Sequence, residues 1–324
     1  MKIFKILLAV VCLLALVAVG AITFTIGWRP FIGPRARRLT DRHFEATPQR
    51  LARGKYLVEG VLVCLDCHSE HDWKAAGYPI FPGMEGSGEI FPEEGLPGRI
   101  VAPNLTPDAD TGVGKWTDDQ LARAIREGIG HDGRALFPMM PYQHYRSLPD
   151  EDLASVVVYL RSLPPVRHPL PKTEIIFPVR YLIRSVPQPW TAPVVAPDLS
   201  TPEQRGAYLV NLALCADCHT PTVRGEPIPG RDFAGGQKFV GPWGTITSAN
   251  LTPDASGIPY YDEKLFIQAM RTGQVGARAL HALMPWQVYR NMTDEDLKAI
   301  FAYLRTLKPV YNEVDNSKEQ ASSN

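Results

Sequence analysis

The sequence predicts an all-α protein: two small helical domains in tandem behind an N-terminal transmembrane helix. Three observations predict it. A nearly unbroken apolar run, Ile6 to Trp28, opens the chain. A set of short motifs then occurs twice in the same order. Each copy carries helix start and stop signals around short apolar stripes.

Residues 1–30 form the first unit. The apolar run is free of charge and long enough to span a bilayer, and Lys2 and Lys5 precede it. Two readings fit: a cleaved signal peptide or a retained anchor. The run outlasts an ordinary signal core, and Trp28 sits where an interfacial aromatic would, which favours the anchor. Ala18-Val19-Gly20 is a workable cleavage site. Val11 ahead of Cys12 makes a poor lipoprotein signal. Arg29, Arg35, Arg37, Arg38 and Arg42 follow the span, and the positive-inside rule would put that side in the cytoplasm.

Next come two copies of one domain, over residues 45–165 and 201–312. Arg53-Gly54-Lys55-Tyr56-Leu57-Val58 returns as Arg205-Gly206-Ala207-Tyr208-Leu209-Val210. Asn104-Leu105-Thr106-Pro107-Asp108 returns as Asn250-Leu251-Thr252-Pro253-Asp254. Met140-Pro141-Tyr142-Gln143 returns as Met284-Pro285-Trp286-Gln287. Asp150-Glu151-Asp152-Leu153 returns as Asp294-Glu295-Asp296-Leu297. Shared order and similar spacing mean a tandem duplication.

Helix signals repeat with it. Thr47-Pro48 and Thr201-Pro202, the latter with Gln204, each cap a first helix. Thr117 with Gln120 opens a middle helix that ends near Gly128, and Asp262 opens its counterpart, ending near Gly273. Thr293 with Asp296 opens a last helix whose Leu297, Ile300, Phe301 and Leu304 make a core stripe. Between the copies, residues 166–200 are proline-rich and read as a semi-rigid linker packed along the surface. Gly77 to Gly98 and Gly225 to Gly244 read as loops. After Val310 the chain turns polar, and the tail 313–324 is expected to be disordered.

The 324 residues suit two ordinary domains. Net formal charge is zero, which gives no footing for nucleic acid. Four of the five cysteines lie in two pentapeptides, Cys64-x-x-Cys67-His68 and Cys215-x-x-Cys218-His219. Cys-x-x-Cys-His is the attachment site of a c-type haem. Two thiols add across the two vinyl groups of one porphyrin. The two-residue gap brings both sulfurs to one ring edge, and the histidine reaches the iron. A zinc site would need two further ligands near each pair, and His71 is the nearest candidate. Two copies imply two covalent haems. In bacteria that attachment follows export, so the domains are expected in the periplasm.

Each iron then needs a sixth ligand or an open position. Met140 and Met284 stand at matching places, each before a proline and an aromatic. A thioether favours ferrous iron and gives a high-potential haem. Met139 adjoins Met140, but Leu283 occupies its place in the second copy. Met84, Met270 and Met292 have no partner in the repeat and read as packing. His131, His144 and His281 have no histidine counterparts and read as surface or satisfied side chains. Tyr142 and Trp286 could pack or bond near a haem propionate. Asn104 and Asn250 read as turn anchors.

Together these features resemble class I cytochrome c domains, most like those in the cytochrome subunits of bacterial membrane-bound alcohol, aldehyde and gluconate dehydrogenases. Gly112-Val113-Gly114-Lys115-Trp116 and Met140-Pro141-Tyr142 match that family's pattern, after the Asn-x-Thr-Pro-Asp turn. The resemblance implies His68 and His219 as proximal ligands and Met140 and Met284 as distal ones. It implies Gly54 and Gly206 at the crossing of first and last helices, with Tyr159 and Tyr303 packed there. The dehydrogenase subunits usually hold three haem domains, and this chain has two haem motifs.

The expected role is a membrane-tethered electron relay. It would accept electrons from a dehydrogenase or quinol-oxidising complex and pass them to a terminal oxidase or soluble cytochrome. The rival is a dihaem peroxidase, which needs an openable iron. A thiosulfate-oxidising enzyme with a cysteine ligand would have only Cys12, inside the apolar segment.

Overall fold

The computed structural model describes residues 2–223 and 225–315. Helix α1 (Lys2–Phe24) is the apolar segment. Among the described residues it is the one helix long and apolar enough to cross a membrane, and it buries none of its side chains in the protein. A short α2 (Arg29–Ile32) follows, then an extended strap to Thr47.

The first repeat holds α3 (Pro48–Tyr56), α4 (Cys64–Cys67), α5 (Asp118–Glu127), α6 (Tyr142–Tyr145) and α7 (Asp150–Ser162). In the connecting segment lies α8 (Val179–Leu182). The second repeat holds α9 (Pro202–Leu212), α10 (Cys215–His219), α11 (Glu263–Thr272), α12 (Trp286–Tyr289) and α13 (Asp294–Thr306). The predicted caps are in place. Thr117 with Gln120 and Thr201 with Gln204 form reciprocal capping boxes. Gly128 and Gly273 close the middle helices in the left-handed conformation.

The all-α expectation is met only in part, since 39 % of the chain is helical. Among the described residues five two-stranded pairings occupy the loops and the linker, the longest joining Lys238–Gly241 to Gly244–Thr247. Long loops must satisfy their own backbone groups, and short hairpins do so without a sheet.

In each repeat the first helix crosses the last at a glycine. A Cβ on Gly54 would lie 2.0 Å from the Ser155 carbonyl oxygen, and one on Gly206 would lie 1.9 Å from that of Ala299. Tyr159 and Tyr303 flank the two crossings, each with its Cβ 2.7 Å from that point. Only hydrogen lets the backbones approach this closely.

One difference between the copies is a residue count. Arg53 lies eleven residues before Cys64, whereas Arg205 lies ten before Cys215. The first helix absorbs the extra residue in one widened turn, Leu57–Val61, where Leu62 N–H bonds to Leu57 O five residues back. In the second copy Ala213 N–H bonds to Leu209 O, the ordinary spacing.

Buried apolar residues of both repeats form one continuous cluster. The seam between them is close to two-fold symmetric. Asn211 Nδ2 donates to Ser147 Oγ (3.0 Å), and Asn291 Nδ2 donates to the Glu59 carbonyl (3.0 Å). Glu59 and Asn211 are equivalent positions, as are Ser147 and Asn291, so one pair of positions meets twice. The Tyr56 hydroxyl donates across the seam to Asp296.

The proline-rich segment packs along the first repeat. Val166 O accepts from Asn104, Glu174–Ile175 pairs with Gly98–Arg99, and Val194 bonds to Asp150. The second repeat is closed at its end by Asn312. Asn312 donates to Ala234 O and Gly235 O, and its N–H donates to Ser256. The remainder of the expected tail, 316–324, lies outside the described residues.

Candidate haem sites

Each Cys-x-x-Cys-His segment is a single helical turn aimed by the residue before it. Val63 (φ 48°) and Leu214 (φ 58°) are both left-handed. That conformation is costly for a branched side chain, and its occurrence at equivalent positions marks a constrained turn. The turn puts Cys64 and Cys67, and likewise Cys215 and Cys218, on one side of α4 and α10. None of the four is drawn into a disulfide. Packing around the turn pushes the Cys64 and Cys215 thiols up to about 12 and that of Cys218, whose residue reaches the surface, up to about 11. Burial raises Cys67 too, with Asp66, Cys64 and, from the other repeat, Cys218 adding repulsion. The two motifs therefore approach each other at the seam.

The histidines are oriented identically. His68 Nδ1 donates to the Pro103 carbonyl and His219 Nδ1 to that of Ala249, both at 2.7 Å. A carbonyl can only accept, so Nδ1 carries the proton and Nε2 is the free lone pair in both rings. This is the arrangement an iron-binding imidazole needs. Burial lowers His68 to about 4, against the opposing carbonyl bond, and lowers His219 in the same way. Both rings are thus neutral at pH 7.

The orienting carbonyls belong to the residues just before Asn104 and Asn250. Asn104 Oδ1 accepts from the Thr106 N–H and hydroxyl, while Nδ2 reaches Val166 O and Thr111. Asn250 repeats this with Thr252, Val310 and Ser256. The asparagines are turn anchors that fix the carbonyl holding each histidine.

Met140 packs against the core, and so does Met284. Met139 is 39 % exposed, which sets it apart from its neighbour. Met270 and Met292 are buried packing residues. The ring of Tyr142 lies on Gly128 and that of Trp286 on Gly273, each with its nearest atom 2.5 Å from where a Cβ would stand. The Tyr142 hydroxyl and Trp286 Nε1 are both buried with no protein partner. Two orphaned donors at matching places after the methionines fit a polar group of a bound porphyrin.

Of the spare histidines, His131 stacks on Trp116 (4.4 Å), and His144 bonds to Asn211 and Asp217 across the seam. His281 accepts from Leu283 N–H and neighbours Tyr78 and Trp243. His71 pairs with buried Glu89 (3.0 Å).

One repeated pair was not singled out from the sequence. Tyr145 and Tyr289 are buried, and each donates its hydroxyl to a backbone carbonyl two residues before the first cysteine, Leu62 O or Ala213 O. They tie the turn after the methionine to the turn before the haem motif. The signal was present, since Met-Pro-aromatic-Gln-x-Tyr occurs in both copies.

The residues present therefore fit two covalent haems. Comparison with known proteins agrees. The cytochrome c family model matches residues 51–164 and again 203–308. The chain is 31 % identical over 274 residues to the fructose dehydrogenase cytochrome subunit of Gluconobacter japonicus, covering 79 % of this chain and 52 % of that one. It is 27 % identical over 302 residues to the cytochrome c subunit of the quinone alcohol dehydrogenase of Gluconobacter oxydans, covering 88 % and 61 %. It is 28 % identical over 257 residues to a dihaem c-type cytochrome of Cereibacter sphaeroides, covering 76 % and 82 %. The chain spans little more than half the length of the two dehydrogenase subunits. A family match over most of the chain, repeated once per haem motif, means that this protein belongs to the cytochrome c family and carries two c-type haems.

Proposed function

We propose that the chain is a membrane-anchored, periplasmic dihaem cytochrome that relays electrons. The donor would be a dehydrogenase or quinol-oxidising complex, and the acceptor a terminal oxidase or soluble cytochrome. In this reading α1 is the anchor, residues 45–165 and 201–312 are the two haem domains, and 166–200 joins them. His68 and Met140 ligate the first iron, and His219 and Met284 the second.

The observation that carries the reading is the sameness of the two sites. Both offer a carbonyl-tethered imidazole with a free Nε2, a methionine at the same step, and a pairing of aromatic and glycine behind it. Each iron, when bound, supplies reversible one-electron chemistry. The protein holds the imidazoles neutral and sets the two motifs against one seam. The likeness to dehydrogenase cytochrome subunits of Gluconobacter, and to the gluconate 2-dehydrogenase cytochrome c subunit of Pantoea cypripedii, supports a dehydrogenase as donor.

The test is spectroscopic. Purified protein should contain two low-spin haems per chain, both with the methionine-to-iron charge-transfer band. Met140→Ala and Met284→Ala should each remove one band and lower the potential of one haem only. A high-spin haem in the intact protein, with rapid peroxide turnover, would instead favour the peroxidase.

A further inference from the structure

The linker and the membrane-exit segment share one surface that neither haem site uses. Helix α2 starts five residues after α1 ends, so an anchored α1 holds it at the bilayer surface. Helix α8 and the turn Ile183–Ser185 pack on α2, and Arg184 Nη1 donates to Pro30 O (3.0 Å) over the buried Pro30. The middle of the linker, some 150 residues downstream, is thereby brought beside the exit of the span.

These two elements and their flanks expose apolar side chains. Phe31 is 56 % exposed, Ile32 67 %, Ile176 58 %, Phe177 73 % and Leu182 41 %. Single exposed apolar residues are ordinary, but several on mutually packed elements are not. Other exposed apolar side chains, such as Val195, Val240 and Tyr260, lie on separate segments. The charge is one-sided as well. Residues 26–40 contain Arg29, Arg35 and Arg38, besides Arg37, which turns inward onto Asp119 and Glu127, and no acid; residues 175–190 contain Arg180 and Arg184 and no acid, and Glu174 just before them pairs with Arg99. The guanidinium groups of Arg180 and Arg184 lie over the Tyr181 ring, at 4.9 and 4.7 Å.

We propose that α2 and linker residues 175–184 form a second membrane contact, lying in the headgroup region of an anionic bilayer beside the exit of α1. Phe31, Ile32, Ile176, Phe177 and Leu182 enter the upper acyl layer, and Arg29, Arg35, Arg180 and Arg184 meet lipid phosphates. The proposal rests on the reading of α1 as a retained anchor. A span alone leaves the domains free to pivot about residues 25–28. A second contact on the linker fixes which face of the seam looks toward the membrane.

The test uses the full haem-loaded chain with Cys12→Ser, reconstituted in vesicles of phosphatidylcholine with phosphatidylglycerol. Spin labels are placed singly at Leu13→Cys, Phe177→Cys and Tyr260→Cys, and relaxation by oxygen is compared with relaxation by a water-soluble nickel chelate. The expected result is a bilayer-interior signal at 13 and a water signal at 260. At 177, nickel accessibility should be several-fold below that at 260. Removing phosphatidylglycerol should raise nickel accessibility at 177 and leave 13 unchanged. Ile32→Cys gives a second reporter should the label at 177 perturb the linker. A bilayer signal at 13 with water signals at 177 and 32 overturns the patch and leaves the anchor standing; a surface made for a protein partner would read this way. A label at 13 that is lost by cleavage or meets water removes the anchor, and the patch with it.

Discussion

The middle helices of the two repeats start from equivalent caps and end on equivalent glycines, yet their surroundings differ. Every residue of α5 except Gln120 is buried, including Asp118, Asp119 and Glu127. On α11 only Phe266, Ala269 and Met270 are buried, as an ordinary amphipathic helix would have it. The cover over α5 is the strap that leads from the membrane-exit segment. Arg37 forks onto Asp119 through both terminal nitrogens (2.7 and 2.6 Å) and onto Glu127 through Nε (2.6 Å). Thr40 and Phe44 add N–H bonds to Asp119 and Asp118. In the second repeat Lys264 and Thr272 stand where Asp119 and Glu127 stand in the first. The difference teaches that the strap is not part of the domain fold. It is an attachment written onto one copy, and it spends one of the arginines that follow the span.

The sharpest way to break the comparison is Arg37→Ala. It removes the main cation from two buried carboxylates, leaving only Arg42 at 4.0 Å from Asp119, which should cost about 3 kcal/mol in the first repeat. Lys264→Ala on α11 should cost almost nothing. The pH dependence should also reverse. Burial tends to raise Asp119, but the Arg37 and Thr40 bonds outweigh it, and the net pKa lies below the ordinary value. That stabilisation is present above the unfolded pKa of about 3.9 and is lost as pH falls through the folded value. Without Arg37, burial is poorly opposed and the folded pKa rises above the unfolded one. The penalty is then full at neutral pH and eases as pH falls toward 4. Glu127 pulls the same way, since burial already raises it despite Arg37. Urea unfolding between pH 4 and 7 checks this; parallel slopes in wild type and variant would sink the strap's electrostatic role.

A smaller effect should be equal in the two copies. Gly54→Ala and Gly206→Ala each place a methyl within about 2 Å of a carbonyl oxygen on the crossing helix. The helices must part, which should cost about 2–3 kcal/mol. Similar losses in both variants, each with its own haem's spectrum perturbed, would establish the crossing as common architecture. A loss in only one would show that the seam, and not the crossing, sets the spacing.

Much of this was legible because local chemistry repeats. Caps, closing glycines, the Asn-x-Thr turn and the haem pentapeptides are short-range patterns, and duplication separates them from chance. The crossing glycines came through the family resemblance. What stayed hidden depends on contacts distant in sequence. Arg37 meets Asp119 from 82 residues away, and nothing in its neighbours announces a buried partner. The widened turn at Leu57–Val61 could have been inferred from the one-residue difference in spacing before the cysteines. The loop pairings could not, because strands of two to four residues carry too little alternation to read.

The seam offers the smallest test, and it probes where the two-fold relation fails. His144 bonds through Nε2 to Asp217 and through Nδ1 to Asn211, both at 2.9 Å, whereas its equivalent in the second repeat is Val288. Asp217, with help from Asn211, raises His144 above the ordinary histidine value against the effect of burial. The stabilisation is therefore fully present below the unfolded pKa of about 6.5 and fades as pH rises through the folded value. Both side chains are partly open to solvent, so the contribution should be about 0.5–1 kcal/mol and should shrink with salt. Melting of wild type between pH 6 and 9 should show a small decline that His144→Ala abolishes, while Asn291→Ala lowers stability at every pH alike. If His144→Ala kept the decline, the charge pair would not be what distinguishes one half of the seam from the other, and the near-symmetric amide contacts would carry the docking by themselves.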